Sequence, residues 1–379
     1  MAAICCASWP RDGTGMAELL VTGGAGFIGA NFVRWWRETR PGDGITVLDA
    51  LTYAGRRENL AGVADIRFVH GDIRETDLVA RLLGEFAVDT IVHFAAESHV
   101  DRSILGPAAF IETNVRGTAS LLDAAKQVWL DRGTGRPHRF HHVSTDEVFG
   151  SLAPDAPAFR ETDQYAPNSP YSASKAASDH LVRAWHQTYG LQVTTSHCSN
   201  NFGPLQTPEK LIPLFILNML KGRPLPIYGD GMNVRDWLFV EDHCRGIAAI
   251  LDHGRVGDAY NIGGGAELPN MTVIDTVCGL IDRAFAADPA LARRFPDAPA
   301  ARGEPSASLK RFVTDRLGHD RRYAIDDGKA RAELGYTPAH EFAGALAGTI
   351  DWYLANEAWW RTIEAEAVSA AAPASSRAA

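Results

Sequence analysis

The sequence predicts an α/β chain: a doubly wound parallel sheet, followed by a smaller α+β region. Three observations carry that prediction. Short apolar runs recur through the first half ("ELLVT", "GITVLD", "IRFVH", "DTIVHF", "FHHVST"), each of strand length and each followed by a stretch of helical periodicity. Strands that alternate with helices pair in parallel, because the crossover helix returns the chain to the same end of the sheet. The first run leads directly into "GGAGFIG" and then an amphipathic segment, which reads as strand, glycine turn, helix. From "SNNFGP" onward the elements shorten and Pro and Gly become denser, as expected of a second domain.

Composition narrows the function. With 379 residues, 46% hydrophobic and 22% charged, the chain suits a soluble globular protein with a sizeable core. A net charge of −9 argues against nucleic-acid binding, so basic work falls to local clusters such as Arg311, Arg316, Arg321 and Arg322. The five cysteines (Cys5, Cys6, Cys198, Cys244, Cys278) form no CxxC pair and fit a reduced, cytoplasmic setting. No apolar run reaches the roughly 18 residues that span a bilayer, and no membrane partner is expected. Residues 1–16 lack a basic leader and read as a disordered extension, with Met16 an alternative start. Residues 361–379, low in complexity, read as a disordered tail.

Gly23, Gly26 and Gly29 are spaced G-x-x-G-x-x-G. Small residues there let the backbone approach a pyrophosphate, while the helix N-terminus supplies amides and a positive dipole end. Between a strand and a helix, this is a dinucleotide signature of the Rossmann type. Asp49 closes the next strand, 20 residues after Gly29. An acid at about that distance accepts hydrogen bonds from ribose hydroxyls and repels a 2′-phosphate, which favours NAD over NADP. Ligands of such sheets sit beyond the carboxyl ends of the strands, where Asp72, Ile73, residues 94–98 and "STDEVFG" fall.

In "STDEVFG" Asp146 and Glu147 are adjacent. Neighbours in a regular strand point to opposite faces, so both acids can serve one site only where the strand ends and the backbone turns. The competing reading is a solvated acidic turn; the strand-end position aims the pair at the cofactor crevice instead. Downstream, "SPYSASKAASDHLVRAW" is an amphipathic helix that Ser169 and Pro170 can open. Tyr171 and Lys175 are spaced i, i+4 and share one face. An ammonium beside a phenol stabilises the phenolate, so Tyr171 is expected to titrate low and to take a proton from an alcohol as hydride leaves its carbon.

The second half holds separated polar residues. Asn200 and Asn201 follow a strand, where they either orient sugar and cofactor or make a turn. Lys210, Arg235 and "GHDRRY" (His319 to Tyr323) offer cations for a diphosphate, with a surface charge the alternative for Arg235. His93, His99, His141 and His142 read as packing histidines and no metal is expected: His141 and His142 are adjacent on a strand and face opposite ways. Trp35, Trp36, Trp359 and Trp360 read as packing residues.

Together "TGGAGFIG", "AAESHVDRS", "STDEVFG", "YSASK", "SNNFGP", "PEKLIP", "RDWLFVEDH", "YNIGG" and "GHDRRY" resemble the dTDP-glucose 4,6-dehydratases of the extended short-chain dehydrogenase/reductase family. The likeness runs from about Glu18 to about Trp360. Phe149 and Phe202 stand where that family often has tyrosine, and the segment before Met16 is atypical. The resemblance implies a Rossmann-type NAD-binding domain over residues 17–200 and a smaller, mainly sugar-nucleotide-binding domain over 201–360, with some segments returning to the first. It implies a hydro-lyase that oxidises C4 of dTDP-glucose, eliminates water across C5 and C6, and returns the hydride to C6. NAD is then regenerated each turnover and stays tightly bound.

On the same resemblance Thr145 binds the C4 oxygen, Asp146 is the acid, Glu147 the base, Tyr171 the C4 base and Lys175 its tuner. NAD contacts carry over to Gly23, Gly26, Phe27, Ile28, Gly29, Asp49, Ala50, Leu51, Thr52, Asp72, Ile73, Phe94, Ala95, Ala96, Ser98, Thr113, Tyr171, Lys175 and Asn201. Substrate contacts carry over to Ser98, Thr145, Asn200, Lys210, Leu211, Pro226, Ile227, Tyr228, Arg235, Asn270, His319 and Tyr323. A homodimer through two helices per subunit is implied as well. The alternatives are the same chemistry on a CDP-, GDP- or UDP-linked sugar, a 4-epimerase, or a non-catalytic NAD sensor, which would ordinarily lack the Tyr or Lys.

Overall fold

The computed structural model describes residues 16–133 and 137–371, and side-chain surroundings as far as residue 367. The N-terminal extension before Met16 and the end of the tail beyond Ala371 lie outside the described residues. Twelve strands form among the described residues: β1 (Glu18–Thr22), β2 (Gly44–Asp49), β3 (Ile66–His70), β4 (Thr90–His93), β5 (Arg139–Thr145), β6 (Val193–Cys198), β7 (Asn200–Phe202), β8 (Leu225–Tyr228), β9 (Val234–Phe239), β10 (Ala259–Ile262), β11 (Glu267–Pro269) and β12 (Lys310–Val313).

The chain divides into two compact units. The first comprises the described part of Met1–Asn201 with Arg235–Glu267 and Gly318–Ala339; the second comprises Phe202–Val234, Leu268–Leu317 and the described part of His340–Ala379.

Unit one is built on a seven-stranded sheet of order β10-β6-β5-β4-β1-β2-β3, all of whose pairings are parallel. The order reverses between β1 and β4, the switch point at which such sheets open a crevice beyond their strand ends. The strands read as continuous apolar runs because helices cover both faces. Leu20, Leu48, Ile91, Phe140 and Val193, one from each of five strands, are buried in one cluster. Helix Thr76–Glu85 adds Val79 and Leu83 to it.

A long helical stretch follows β4, with two π-type segments, Ile111–Gly117 and Lys126–Asp131, flanking Thr118–Ala125. π-type turns re-aim side chains and often mark functional positions. Here Asn114 is turned so that its Oδ1 accepts from Glu97 N (2.8 Å) and its Nδ2 donates to Glu97 O (3.0 Å) and Ser174 Oγ (2.8 Å). That one amide staples the segment after β4 to helix Pro170–Tyr189.

Unit two pairs β8 with β12 in parallel and carries helices Leu211–Leu220, Asn270–Ala287, Phe342–Ala355 and Glu357–Ala371. The last helix continues through residues 361–371, which composition had suggested were unstructured. Alanine and glutamate are strong helix formers. Trp360, fully buried with its Nε1 donating to Tyr353 O at 2.9 Å, anchors the start of the helix in the unit's core.

Candidate active site

β5 runs fully buried to Thr145 and stops there. Thr145 is still extended (φ −139°, ψ 151°), and Asp146–Phe149 then wind into a tight 3-10 turn. Thr145 Oγ1 accepts from Glu147 N at 3.3 Å and donates toward Asp146 Oδ1 at 3.4 Å. The strand end and turn are what allow adjacent carboxylates to be used together. Asp146 is buried at 2% exposure, while Glu147 is half-buried.

Helix Pro170–Tyr189 opens with a reciprocal capping box between Ser169 and Ser172 and with Pro170 in its first turn. Both Tyr171 and Lys175 are buried. The Thr145 hydroxyl, at the strand end, acts on the Tyr171 phenol and favours its ionised form. Lys175 Nζ donates to Val143 O at 2.8 Å.

The electrostatics separate these groups. Burial, then Glu147 and Asp236, push the Asp146 carboxyl well above the usual range, with Arg235 opposing. One Asp146 oxygen, Oδ2, is buried without a hydrogen-bond partner, as suits a carboxyl that keeps its proton. Tyr171 departs from expectation. Burial first, then Glu147, hold its phenol well above the ordinary value, rather than Lys175 lowering it. Burial also lowers the lysine, against the attraction of Asp179.

The expected cofactor residues of unit one gather at the carboxyl ends of β1, β2, β3 and β4. Gly23 adopts φ +68°, and a Cβ there would lie 2.6 Å from Ala95 N, so β1 and β4 end in close contact. A Cβ on Gly29 would collide with the Gly23 carbonyl. On Gly26 it would meet only Gly23 O, at 3.3 Å. Phe27 and Ile28 open helix Phe27–Thr39. Asp49 accepts from Ala25 N (2.9 Å) and Leu51 N (2.8 Å), tying the glycine turn to the end of β2. Burial raises its carboxyl against those two bonds. Ala50, Leu51 and Thr52 follow β2, with Leu51 in the left-handed region at φ 50°.

Asp72 is paired with Arg74 at 2.6 Å, and Ile73 is a core residue whose side chain packs with the main cluster. Phe94, Ala95, Ala96 and Ser98 follow β4, and Thr113 lies in the first π-type segment. The amide of Asn201 is engaged by the protein, donating to Ser199 O at 3.0 Å and facing His243 Nδ1 at 3.0 Å.

The expected substrate residues divide between the units. In unit one, Asn200 Oδ1 is buried without a partner. Arg235 is buried rather than on the surface: its Nη2 donates to Asp320 O at 2.9 Å and its guanidinium lies 4.1 Å above the Tyr323 ring. Tyr323 donates to Asp320 Oδ2, and His319 is half-buried. In unit two, Lys210 precedes helix Leu211–Leu220. Pro226, Ile227 and Tyr228 lie on β8 against Arg311, Phe312 and Val313. Gly231 N donates to Tyr228 O and Met271 N to Gly231 O (2.9 Å), which brings the end of β8 beside Asn270.

The histidines find hydroxyl partners: His141 bridges Thr194 (3.0 Å) and Ser196 (3.1 Å), and His93 bridges Thr22 (2.8 Å) and Thr118 (3.0 Å). His142 faces the other way, toward Asp179. Among the described residues, no group of three or more His, Cys, Asp or Glu is placed to hold a metal. Two acids near the site were not anticipated. Asp236, on β9, accepts from Ser199 Oγ (2.6 Å), Gly264 N (2.8 Å) and Ala266 N (2.7 Å). Asp179 lies one turn beyond Lys175, a spacing that was readable in the sequence.

A family model described as GDP-mannose 4,6 dehydratase matches residues 20–349. The chain is 54% identical over 349 residues to a dTDP-glucose 4,6-dehydratase of Xanthomonas campestris pv. campestris, a match covering 91% of this chain and 95% of the relative. It is 47% identical over 363 residues to the enzyme of that name from Salmonella typhimurium, covering 92% and 96%. Among solved structures it is similar to DesIV, a dTDP-glucose 4,6-dehydratase from Streptomyces venezuelae with NAD and dTDP bound. The TM-score is 0.80 at 50% identity, over 91% of this chain and 99% of DesIV. With a parallel switch-point sheet, a strand end carrying two acids and matches over nine-tenths of its length, the chain belongs to the dTDP-glucose 4,6-dehydratase family.

Proposed function

We propose that this chain converts dTDP-glucose to dTDP-4-keto-6-deoxyglucose, as an NAD-dependent hydro-lyase. The observation that carries the reading is the pairing of a buried, proton-retaining Asp146 with a half-buried Glu147, beside Tyr171. Dehydration across C5 and C6 needs one carboxyl that gives a proton and one that takes it, in one pocket at one pH. Burial and like charge separate neighbouring acids in that way.

The residues around the glycine turn fit a dinucleotide: Gly23 and Gly29 close the turn, a side chain on Gly26 would press on the Gly23 carbonyl alone, and Asp49 keeps lone pairs beyond the two amides it accepts from. When bound, NAD takes the C4 hydride and returns it at C6. In this reading Tyr171 reacts as its phenolate, which the Lys175 ammonium stabilises, and becomes the neutral phenol on taking the C4 hydroxyl proton while Thr145 holds the C4 oxygen. Glu147 removes the C5 proton once the C4 ketone has made it acidic, and Asp146 protonates the departing C6 hydroxyl. Asn200, Lys210, Leu211, Pro226, Ile227, Tyr228, Arg235, Asn270, His319 and Tyr323 are assigned to the sugar nucleotide on the family match alone. A cytoplasmic homodimer fits the same reading: Cys198, Cys244 and Cys278 are buried free thiols, and Leu105 and Ile111 are exposed apolar side chains.

Incubation with dTDP-glucose, and separately with the UDP, GDP and CDP sugars, tests the reaction by mass spectrometry. Loss of one water from the dTDP sugar alone is expected. Unchanged mass for every sugar overturns the dehydratase reading, and preference for another nucleotide overturns the substrate.

Gly26→Ala tests the cofactor turn. The added methyl would meet only the Gly23 carbonyl, at 3.3 Å, a tight contact that a shift of a few tenths of an ångström relieves, so the fold should lose only about 1 kcal/mol at this helix N-cap. Affinity for NAD should fall at least about tenfold, because the methyl would stand where the backbone approaches the phosphates. Unchanged NAD content in the purified variant would remove Gly26 from the site.

A further inference from the structure

Beneath the strand end that carries the two acids lies a buried polar cluster in which Asp179 has no task in the reaction as described. Tyr171, Lys175 and Asp179 are each four residues apart on helix Pro170–Tyr189 and share one face. All three are buried. The Asp179 carboxylate accepts from Ser144 Oγ on β5 at 2.9 Å and from Tyr165 OH at 3.0 Å. His142 Nε2 and His197 Nε2 stand 3.1 and 3.3 Å from it. Lys175 holds the carbonyl of Val143, the residue before Ser144. Two successive turns of the helix therefore grip two successive residues of β5, directly before Thr145.

The charges in this space are few. His93 from β4, His142 from β5 and Cys198 from β6 face Lys175, together with Tyr171 and Asp179 on its own helix. Burial keeps His142 down at about 4 and His93 well below its ordinary value, so both rings are neutral near pH 7. Burial likewise pushes the Cys198 thiol up to about 12 and holds the Tyr171 phenol well above its ordinary value. Burial opposes charge on Asp179 too, yet the close approach of the His142 and His197 rings holds it far below the carboxylate range. Among these groups Asp179 alone is ionised opposite the ammonium.

We propose that Asp179 is a positioning residue of this active site, the buried counter-charge that holds the Lys175 ammonium against β5. The inference rests on the roles given above to Tyr171 and Lys175. It adds a residue that acts on the reaction only through Lys175 and the strand end.

Asp179→Asn keeps an oxygen acceptor for Ser144 and Tyr165 but removes the charge. The expected result is a kcat about 10- to 100-fold lower, with KM for the sugar nucleotide within about threefold. The alkaline limb of C4 oxidation, read as reduced cofactor formed in a single turnover, should move about one unit to lower pH, because an unpaired buried lysine releases its proton sooner. Ser144→Ala, which removes one hydrogen bond and leaves the charge, should leave that limb in place. An unmoved limb in Asp179→Asn, with kcat lowered only in step with thermal stability, would overturn the proposal.

A second measurement needs no turnover. Asp179→Asn leaves a buried ammonium unpaired and Lys175→Met leaves a buried carboxylate unpaired, whereas the double variant leaves neither. The double variant is expected to melt above the value given by adding the two single losses, and to fold even where Asp179→Asn alone does not. Additive losses, or a double variant that does not fold, would overturn the pairing. Wild-type turnover of dTDP-glucose, run in parallel, separates the two readings. An inactive wild type with the coupling intact rejects the reaction and keeps the pair.

Discussion

Asp146→Asn is expected to stop water loss while sparing oxidation at C4. The amide has the size of the carboxyl and can occupy the same buried place, but it has no acidic proton to give to a departing hydroxyl. General-acid catalysis contributes typically 10²- to 10⁴-fold, so dehydration should fall by about 10³-fold, or about 4 kcal/mol of barrier. Because oxidation precedes elimination, reduced cofactor should accumulate on mixing the variant with dTDP-glucose, visible as its absorbance. The pH dependence has a definite sign. Burial, Glu147 and Asp236 raise the Asp146 pKa, so the proton-bearing form persists above the usual carboxylate range. Wild-type dehydration should then decline as pH rises through that raised value, and the variant should lack the decline. The same raised pKa works against the fold. The group favours folding fully only below its unfolded value of about 4, and that contribution is lost as pH rises toward the folded value. Asp146→Asn should therefore melt no lower than wild type at neutral pH. Unimpaired dehydration in this variant would remove Asp146 from the acid role.

Tyr171→Phe is expected to abolish the first step, and with it everything that follows. The ring remains to pack edge-on against Phe110, whose centroid is 6.3 Å away, so the helix and NAD affinity should be little changed. Only the phenol is lost, and with it the group proposed to take the C4 hydroxyl proton. Turnover should fall by about 10³-fold or more, with no reduced cofactor formed in a rapid-mixing experiment. The contrast between the two variants is the useful part: one accumulates reduced cofactor and the other never makes it. Dehydration at an appreciable rate in Tyr171→Phe would show that another group takes the C4 proton.

The dinucleotide turn was readable because its constraints are local. A positive φ at Gly23 and the missing Cβ at Gly29 are demands of the backbone within a few residues, and glycine meets them in any context. The opening of helix Pro170–Tyr189 was readable for the same reason, since Ser169, Pro170 and Ser172 satisfy the first turn among themselves. The tail was misjudged on composition: "EAEAVSAAA" suits disorder and helix alike, and burial of Trp360 in unit two favours the helix. Arg235 reads as a cation for a diphosphate, with a surface charge the alternative, and Tyr323 as a contact implied by the resemblance; the two lie one above the other, buried, with Arg235 acting on Asp146 from β9.

By itself, then, the sequence determined the parallel α/β architecture, the glycine turn, the strand end at Thr145 and the shared face of Tyr171 and Lys175. Each follows from spacing along the chain and from steric rules that operate over one or two turns. Only the tertiary structure decided that Asp146 is held above the usual carboxylate range, that Tyr171 is held up by burial rather than lowered by its lysine, and that Asp179 raises Lys175 from the same helix face. Those outcomes depend on how deeply a group is buried and on the charges of Arg235 and Asp236 on β9 and Asp179 on helix Pro170–Tyr189. Residues such as Asp146 and Asp236 are separated by 90 positions in the chain, and folding alone makes them neighbours.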